Sequence, residues 1–518
     1  MICSSPPTKA VRRTASVLCA AALFCGAAVC RGQSIALPWS GYGHDAQHSG
    51  ISPVAAQAMN AIHWQTPVDD NPEYSGTTLY AHYGSPLATR ANTIILPVKY
   101  RLEGESTDRF RIEARSGANG VLIWTQPTDY LLPAHGWVPP FGAVLTPKNR
   151  LWYPGAGGTV SFRDTPDVAG VGSDPIAFYG MESYSGAVKI CTPITSDRYG
   201  NIFFGFVVEG TVTLPDGTSL LSGVARIAEG GAGTWVSAKA AAGDTGIGKV
   251  VQNCAPALSN DHRTLYIAVS QGNFSGGYLV ALDSGTLATS AKVRLKDPHQ
   301  PGIDALLPDD GTASPTVGPD GDVYFGVFAG DSTFTYNHYR GWLLHYRFNG
   351  PLVQTLTPGA FGWDDTASVV PAPAVPSYTG TSKYLLLTKY NNYAGFGDGL
   401  NKVAILDPND TMPDPVSGTG VMKEVITVLG VTPDQEFPGY PGAVREWCIN
   451  TAAVDPAGKC AIVNSEDGKV YRWDFVTNTL IQTMKLTSGI GEAYTPTIIG
   501  MDGTIYAISD ATLFAVGQ

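Results

Sequence analysis

The chain has 518 residues, a formal net charge of −11 and only 15% charged side chains, against 60 glycines, 37 prolines and 24 tyrosines. This acidic, turn-rich composition disfavours nucleic acid or an anionic membrane surface as a partner and points to a β-rich protein that is not natively disordered. No segment beyond the N-terminal leader has some 18 unbroken apolar residues, so no membrane-spanning helix is expected after it.

Residues 1–32 read as a signal peptide. Lys9, Arg12 and Arg13 precede an apolar run from about Ala15 to Val29, and small residues lead to Gly32 and Gln33. The expected location is therefore secreted or periplasmic. The pair Arg12-Arg13 leaves Sec or Tat export open. Cys30 follows Val29, where a lipoprotein site wants a smaller residue, so a free mature protein is expected. Its loss of four basic residues brings the net charge to about −15. Four cysteines remain: Cys191, Cys254, Cys448 and Cys460, too few for a disulfide scaffold in a chain this long.

Residues 33–60 form an N-terminal arm that contains "GHDAQHSGIS", Gly43 to Ser52. His44 and His48 would share a face only on a helix, and Gly41, Gly43, Gly50 and Pro53 oppose one, so the arm is expected to be structural, with no firm metal site. Next comes "NAIHWQTPV", Asn60 to Val68, a strand with Trp64 at its centre.

From there to residue 518 one phrase recurs: a small residue or proline, a few apolar residues, a polar turn, then an aliphatic or aromatic strand. Copies begin at Ser85, Gly142, Thr192, Ala255, Ser314, Ala372, Thr451 and Thr495, with anchors at Pro86, Ala143, Pro193, Pro256, Pro315, Pro373, Ala452 and Pro496. Several are followed by a second hairpin, as in "GGYLVALDSGTLATSAKVRL" from Gly276. Two hairpins make a four-stranded blade, and blades set radially bury both faces while leaving short edges. The expected fold is all-β: residues 61–518 as a single eight-bladed β-propeller of four-stranded antiparallel blades, with seven blades the alternative. The last copy has room for three strands, so the strand carrying Trp64 is expected to close the ring.

"ALDSGTLATS" from Ala281 and "IEARSGANGVLIW" from Ile112 look like the blade signature of PQQ-like, quinoprotein alcohol dehydrogenase-like β-propeller repeat proteins of bacteria, and "PWSGYGHDAQHSGIS" from Pro38 is similar to the phrase that introduces such propellers. The resemblance spans nearly all of the chain after the leader and implies the same fold. It leaves function open, because these propellers include quinone-dependent dehydrogenases and non-catalytic scaffolds. The vicinal cysteine pair typical of the dehydrogenases is absent here, as is a C-x-x-C-H haem site.

In such a ring, residues just before each anchor converge on one channel mouth. These include Tyr80, His82 and Tyr83, then His135 and Trp137, then Gln252 and Asn253, then Trp363, Asp364 and Asp365, then Arg445, Glu446 and Trp447, and finally Glu492 and Tyr494. A ligand site there would use Arg445 to pair a carboxylate, Trp137, Trp363 or Trp447 to stack, and Asp365, Glu446 and Asn253 as oxygen donors to Ca²⁺. Under a quinoprotein alternative, using PQQ and Ca²⁺ to oxidise an alcohol or sugar, Asp364 or Asp365 would be the base. The expected function is a binding or scaffolding module for an unidentified protein, small-molecule or glycan partner, leaning away from an enzyme. Cys191 and Cys254, each two residues before its anchor proline in Ala255's and Thr192's neighbouring copies, are candidates for a disulfide.

Overall fold

The computed structural model describes residues 39–518 except 77, 81–82, 137–140, 181–183, 185, 310, 312, 331–334, 450 and 489–496. The signal peptide, His82, Trp137, Glu492 and Tyr494 lie outside the described residues.

Among the described residues, eight larger antiparallel sheets are built from short strands beside two two-stranded ribbons, Tyr74–Ser75 with Thr78–Leu79 and Val212–Thr213 with Ser219–Leu220, and the single α-helix is the five-residue Ala238–Ala242. Each of the eight larger sheets has four strand positions, so the molecule is an eight-bladed propeller. The innermost strands are short: Leu87–Ala88, Val144–Leu145, Thr195–Ser196, Ala257–Leu258, Thr316–Val317, Ser368–Pro371, Ala453–Asp455 and Ile498–Ile499. In blades three and four the inner strand is broken, with Val188–Ile190 and Lys249–Val250 pairing the same second strand as the piece that follows. Second strands such as Thr93–Tyr100, "TIILPVKY", are buried almost throughout, as expected of strands covered on both faces by neighbouring blades. Outer strands alternate, as Thr479–Lys485 does, because only one face meets the next blade.

The ring closes as the length of the last repeat requires. Strand Ala61–Pro67 pairs antiparallel with Thr512–Gly517, with Ala61 opposite Gly517 and Pro67 opposite Thr512, and so supplies the fourth strand of blade eight. Seven blades are thereby excluded.

Three anchors are corrected. In blade eight Ile499 pairs Ile505 as Ala88 pairs Ile94, so Thr497 holds the anchor place and Pro496 lies outside the described residues. In blade six the innermost strand is Ser368–Pro371, so Pro373 sits in the 3-10 turn Ala372–Ala374 that follows, and Ala367 holds the anchor place. The apolar phrase "APAVP" after the strand imitates the one that precedes strands elsewhere. In blade three, Ser196 pairs Ile202 as Leu258 pairs Leu265, which puts Ile194 rather than Pro193 in register with Pro256.

The N-terminal arm runs around the inner face of the ring. Its carbonyls accept from successive innermost strands: Trp39 from Ala88 (3.0 Å), Ser40 from Leu145 (2.7 Å), Ala46 from Leu258 (2.7 Å), Gln47 from Val317 (2.9 Å), Ser49 from Val369 (2.8 Å) and Gly50 from Val454 (2.8 Å). Gln57 N then donates to Gly503 O of blade eight at 2.8 Å. Seven of the eight blades are thus tied to one strip of chain. These bonds satisfy inner-strand amides that have no further strand to pair with.

Asp45 shapes the arm's turn, its carboxylate accepting from Gln47 N, Ser49 N and Ser49 Oγ and meeting His44 Nδ1 at 3.2 Å. His48 Nδ1 instead bonds Pro315 O at 2.7 Å, so the two histidines do not act as a ligand pair. Tyr42 lies edge-on to His48, and its hydroxyl meets Thr366 Oγ1 at 2.8 Å. Trp39, Tyr42, His44 and His48 are all buried.

Candidate functional site

Each inner strand runs away from the mouth and the second returns to it, so two sets of loops open on the same face: those entering the blades and those joining second to third strands. The arm is bonded to the inner strands beneath them.

Asn253 and Asp364 are equivalent. Each stands five residues before the inner-strand residue that bonds the arm, Leu258 and Val369, and both take left-handed φ, 63° and 50°. Asparagine and aspartate tolerate that conformation better than other side chains. Asn253 is fully buried; its N donates to Cys191 O at 2.9 Å and its Nδ2 to the carbonyls of Asp309 and Gly311, at 3.1 Å each, so it ties blade four to both neighbours. Its Oδ1 has no partner.

Asp364 lies 3.9 Å from the buried Lys389 Nζ. Asp365 is 1% exposed, accepts from Thr388 Oγ1 through Oδ2 and leaves Oδ1 without a partner. Burial pushes its carboxyl up to about 7 against the pull of Lys389. A pKa near neutrality suits a general base, but this carboxyl is enclosed and faces its own blade's second strand.

The remaining mouth residues are placed as follows. Arg445 meets three carboxylates, Glu436 at 3.0 Å, Glu466 at 3.4 Å and Asp434 at 3.7 Å, so it is not available as a clamp for a ligand carboxylate. Burial pushes Glu466 up to about 7 in this cluster. Glu446 accepts from Ser465 Oγ through its backbone carbonyl. Trp447 is 1% exposed, packs against Tyr471 and donates its indole N–H to Asn401 O at 3.2 Å; its ring is core, and the expectation of a stacking face is corrected. Trp363 is half-buried and edge-on to Phe328 at 4.6 Å. His135 is half-buried on a loop held by Gln252 Nε2 donating to Ala134 O at 3.1 Å.

The disulfide is also corrected. Cys191 and Cys254 are buried free thiols, each pushed up to about 12 by burial. With Ile194 in register with Pro256, Cys191 is equivalent to Asn253 rather than to Cys254. The two thiols therefore do not hold matching places in neighbouring blades, and both are free. Cys460 is a free thiol as well and pairs Asp455 across its hairpin, and Cys448 is buried.

The mouth face also carries an aromatic rim formed by residues outside the positions expected from the sequence. Phe328 meets Phe274 (6.0 Å), Tyr339 (5.5 Å) and Trp363 (4.6 Å), and Tyr339 lies 4.0 Å from Phe396, a chain of rings across blades four, five and six. Phe274 and Phe396 are 43% and 48% exposed. The signal was an aromatic in each second-to-third linker, "QGNFSGG", "TYNHYRG" and "NNYAGFGDG", outside the loops that were inspected.

No family model matches the sequence, and no curated protein matches it. Among solved structures, the chain is similar to a europium-containing methanol dehydrogenase (10% identity over 92% of this chain and 89% of that one, TM-score 0.52). It is also similar to the quinohemoprotein alcohol dehydrogenase from Comamonas testosteroni (11% identity, 93% and 81% covered, TM-score 0.54). BamB from Moraxella catarrhalis aligns at 13% identity over 88% and 97%, with a TM-score of 0.43.

The described residues do not make a cradle for PQQ with Ca²⁺. Arg445 is held by its own carboxylates, Trp447 is inside the core, and the free oxygens of Asn253 and Asp365 belong to loops two blades apart. Among the described residues, no three His, Cys, Asp or Glu side chains converge on a metal-sized gap. In fold, this chain is an eight-bladed β-propeller, similar to those of the methanol and quinohemoprotein alcohol dehydrogenases.

Proposed function

We propose that the chain is an exported binding or scaffolding module whose partner, a protein or a small-molecule or glycan ligand, docks on the mouth face. The observation that carries this is the aromatic rim, where Phe274 and Tyr339 are held at φ 48° and 64°. Left-handed backbone is costly for bulky side chains and tends to survive where a site needs it. Exposed rings linked in a chain are also the side chains most enriched at the centre of interfaces.

The quinoprotein alternative is tested directly. Mature protein is given PQQ and Ca²⁺, and melting and dye-linked alcohol or sugar oxidation are recorded. The expected result is no shift and no turnover. A bound cofactor in large excess over its Kd would stabilise by a few kcal/mol, so a clear upward shift, or oxidation, would overturn the binding-module assignment.

A further inference from the structure

Between blades five and six lies a cleft of about 530 Å³, lined by His338, Arg340, Tyr390, Asn392, Asp398 and Lys402. We propose that it binds an uncharged polyhydroxylated ligand, a neutral mono- or disaccharide unit.

The polar groups are built in. Arg340, 2% exposed, holds Asp414 through both terminal nitrogens at 3.1 and 2.6 Å and gives its Nε to Asn337 O at 2.9 Å. Lys402 pairs with Glu424 at 2.9 Å. Both cations are thus neutralised from behind, which leaves nothing to recruit a phosphate or carboxylate. Their heads sit over the ring of Tyr390, at 5.9 and 5.0 Å from its centroid, and fix it. Tyr390, 3% exposed, lines this cleft, and its buried hydroxyl makes no well-formed hydrogen bond, with only the Arg340 guanidinium, already committed to Asp414 and Asn337, close to it. A buried hydroxyl without a well-formed hydrogen bond is costly, and a ligand hydroxyl would satisfy it.

The opposite wall orders a second set. His338 Nδ1 donates to Asn392 Oδ1 at 2.7 Å, and Asn392 Nδ2 donates to Asp398 Oδ1 at 2.6 Å. That assignment puts the His338 proton on Nδ1 and leaves Nε2 as an acceptor. His338 is held at φ 54°, and Gly397 is needed for the pair: a Cβ there would come within 2.1 Å of Asn392 Oδ1 and 2.8 Å of His338 Nδ1. Leu400, Val416 and Leu429 complete the lining with apolar surface, which suits the C–H face of a sugar ring. Closely spaced donors and acceptors with balanced charge and one apolar wall match vicinal hydroxyls better than they match an ion or a lipid chain.

The test uses the mature protein. Glucose, galactose, maltose and cellobiose are titrated by calorimetry and saturation-transfer NMR, with glucose 6-phosphate and glucuronate as charged counterparts. At least one neutral sugar is expected to bind, and the charged forms to bind more weakly. Tyr390→Phe keeps the ring and removes only the hydroxyl, so its melting temperature should be unchanged or higher while affinity falls about five- to tenfold. Val476→Ser, on an exposed outer turn of blade seven away from both the cleft and the rim, should leave sugar binding unchanged. The proposal is overturned if no neutral sugar binds at tens of millimolar, if the charged forms bind more tightly, or if Tyr390→Phe binds like the parent.

Discussion

Trp64 of the closing strand lies directly over Gly120 in the outer hairpin of blade one, and its indole N–H donates to Gly117 O at 2.9 Å. A Cβ on Gly120 would come within 2.6 Å of the ring, and Gly120 itself has φ 70°. This pair joins the first blade to the last, so it is where an open ring would part. Trp64→Ala is expected to cost about 3–5 kcal/mol as a buried large-to-small change. Gly120→Ala, which adds one methyl, should also destabilise, through clash and backbone strain together. Thermal melts and limited proteolysis of both variants check this; parent-like melting of Gly120→Ala would show that the contact does not hold the ring.

The arm makes a separate prediction, because it bonds seven blades without belonging to a sheet. Removing residues 33–57 while keeping the strand Ala61–Pro67 should lower the melting temperature and make the inner strands exchange amide protons faster, most of all at Leu258, Val317, Val369 and Val454, whose N–H groups lose their acceptors. Tyr42→Phe is the gentler version, losing the bond to Thr366 at a cost of about 1 kcal/mol. Unchanged exchange at those four amides would mean the arm lies on the ring without holding it.

Blade number and ring closure were legible because the repeat is carried by short-range chemistry: turn residues, alternating outer strands and the outer-strand tryptophans Trp64, Trp124 and Trp235. Register within the innermost strands was not. Those strands are mostly two residues long, so an apolar phrase one or six positions away passes for the anchor, as Pro193 and Pro373 do. The same slip paired Cys191 with Cys254 when its true counterpart is Asn253. The mouth loops were found from topology, but whether Trp447 or Arg445 faces a ligand depends on contacts with Tyr471 and Glu436, which lie outside the repeat and have no local signature. The rim and the blade five–six cleft went unnoticed for a related reason, since they are assembled from linkers of neighbouring blades.

The cysteines offer a chemical check. All four cysteines within residues 39–518 are buried, and burial pushes Cys191, Cys254 and Cys460 up to about 12, so these three are not thiolates near neutral pH. Native protein should give almost no reaction with Ellman's reagent and four equivalents in denaturant, and dithiothreitol should not change its melting temperature. A drop in melting on reduction would restore the Cys191–Cys254 bond.

Asp365 predicts a pH dependence with a definite sign. Its carboxyl moves from an ordinary 3.8 to about 7 in the folded protein, so the native state keeps a proton that the unfolded chain has released. The stabilisation is fully present below about pH 4, declines as pH rises towards 7 and is then gone, amounting to a few kcal/mol at about 1.4 kcal/mol per unit. His48 acts oppositely: burial pushes it from 6.5 down to about 4, so its contribution is complete above about pH 6.5 and lost as pH falls towards 4. Because the two overlap, the clean measurement is a difference. Asp365→Asn cannot ionise, so its melting temperature relative to the parent should rise steadily from pH 4 to 7 and level off beyond. A difference that stays flat across this range would show that Asp365 is ionised in the folded ring, with its free oxygen solvated or held by a bound cation.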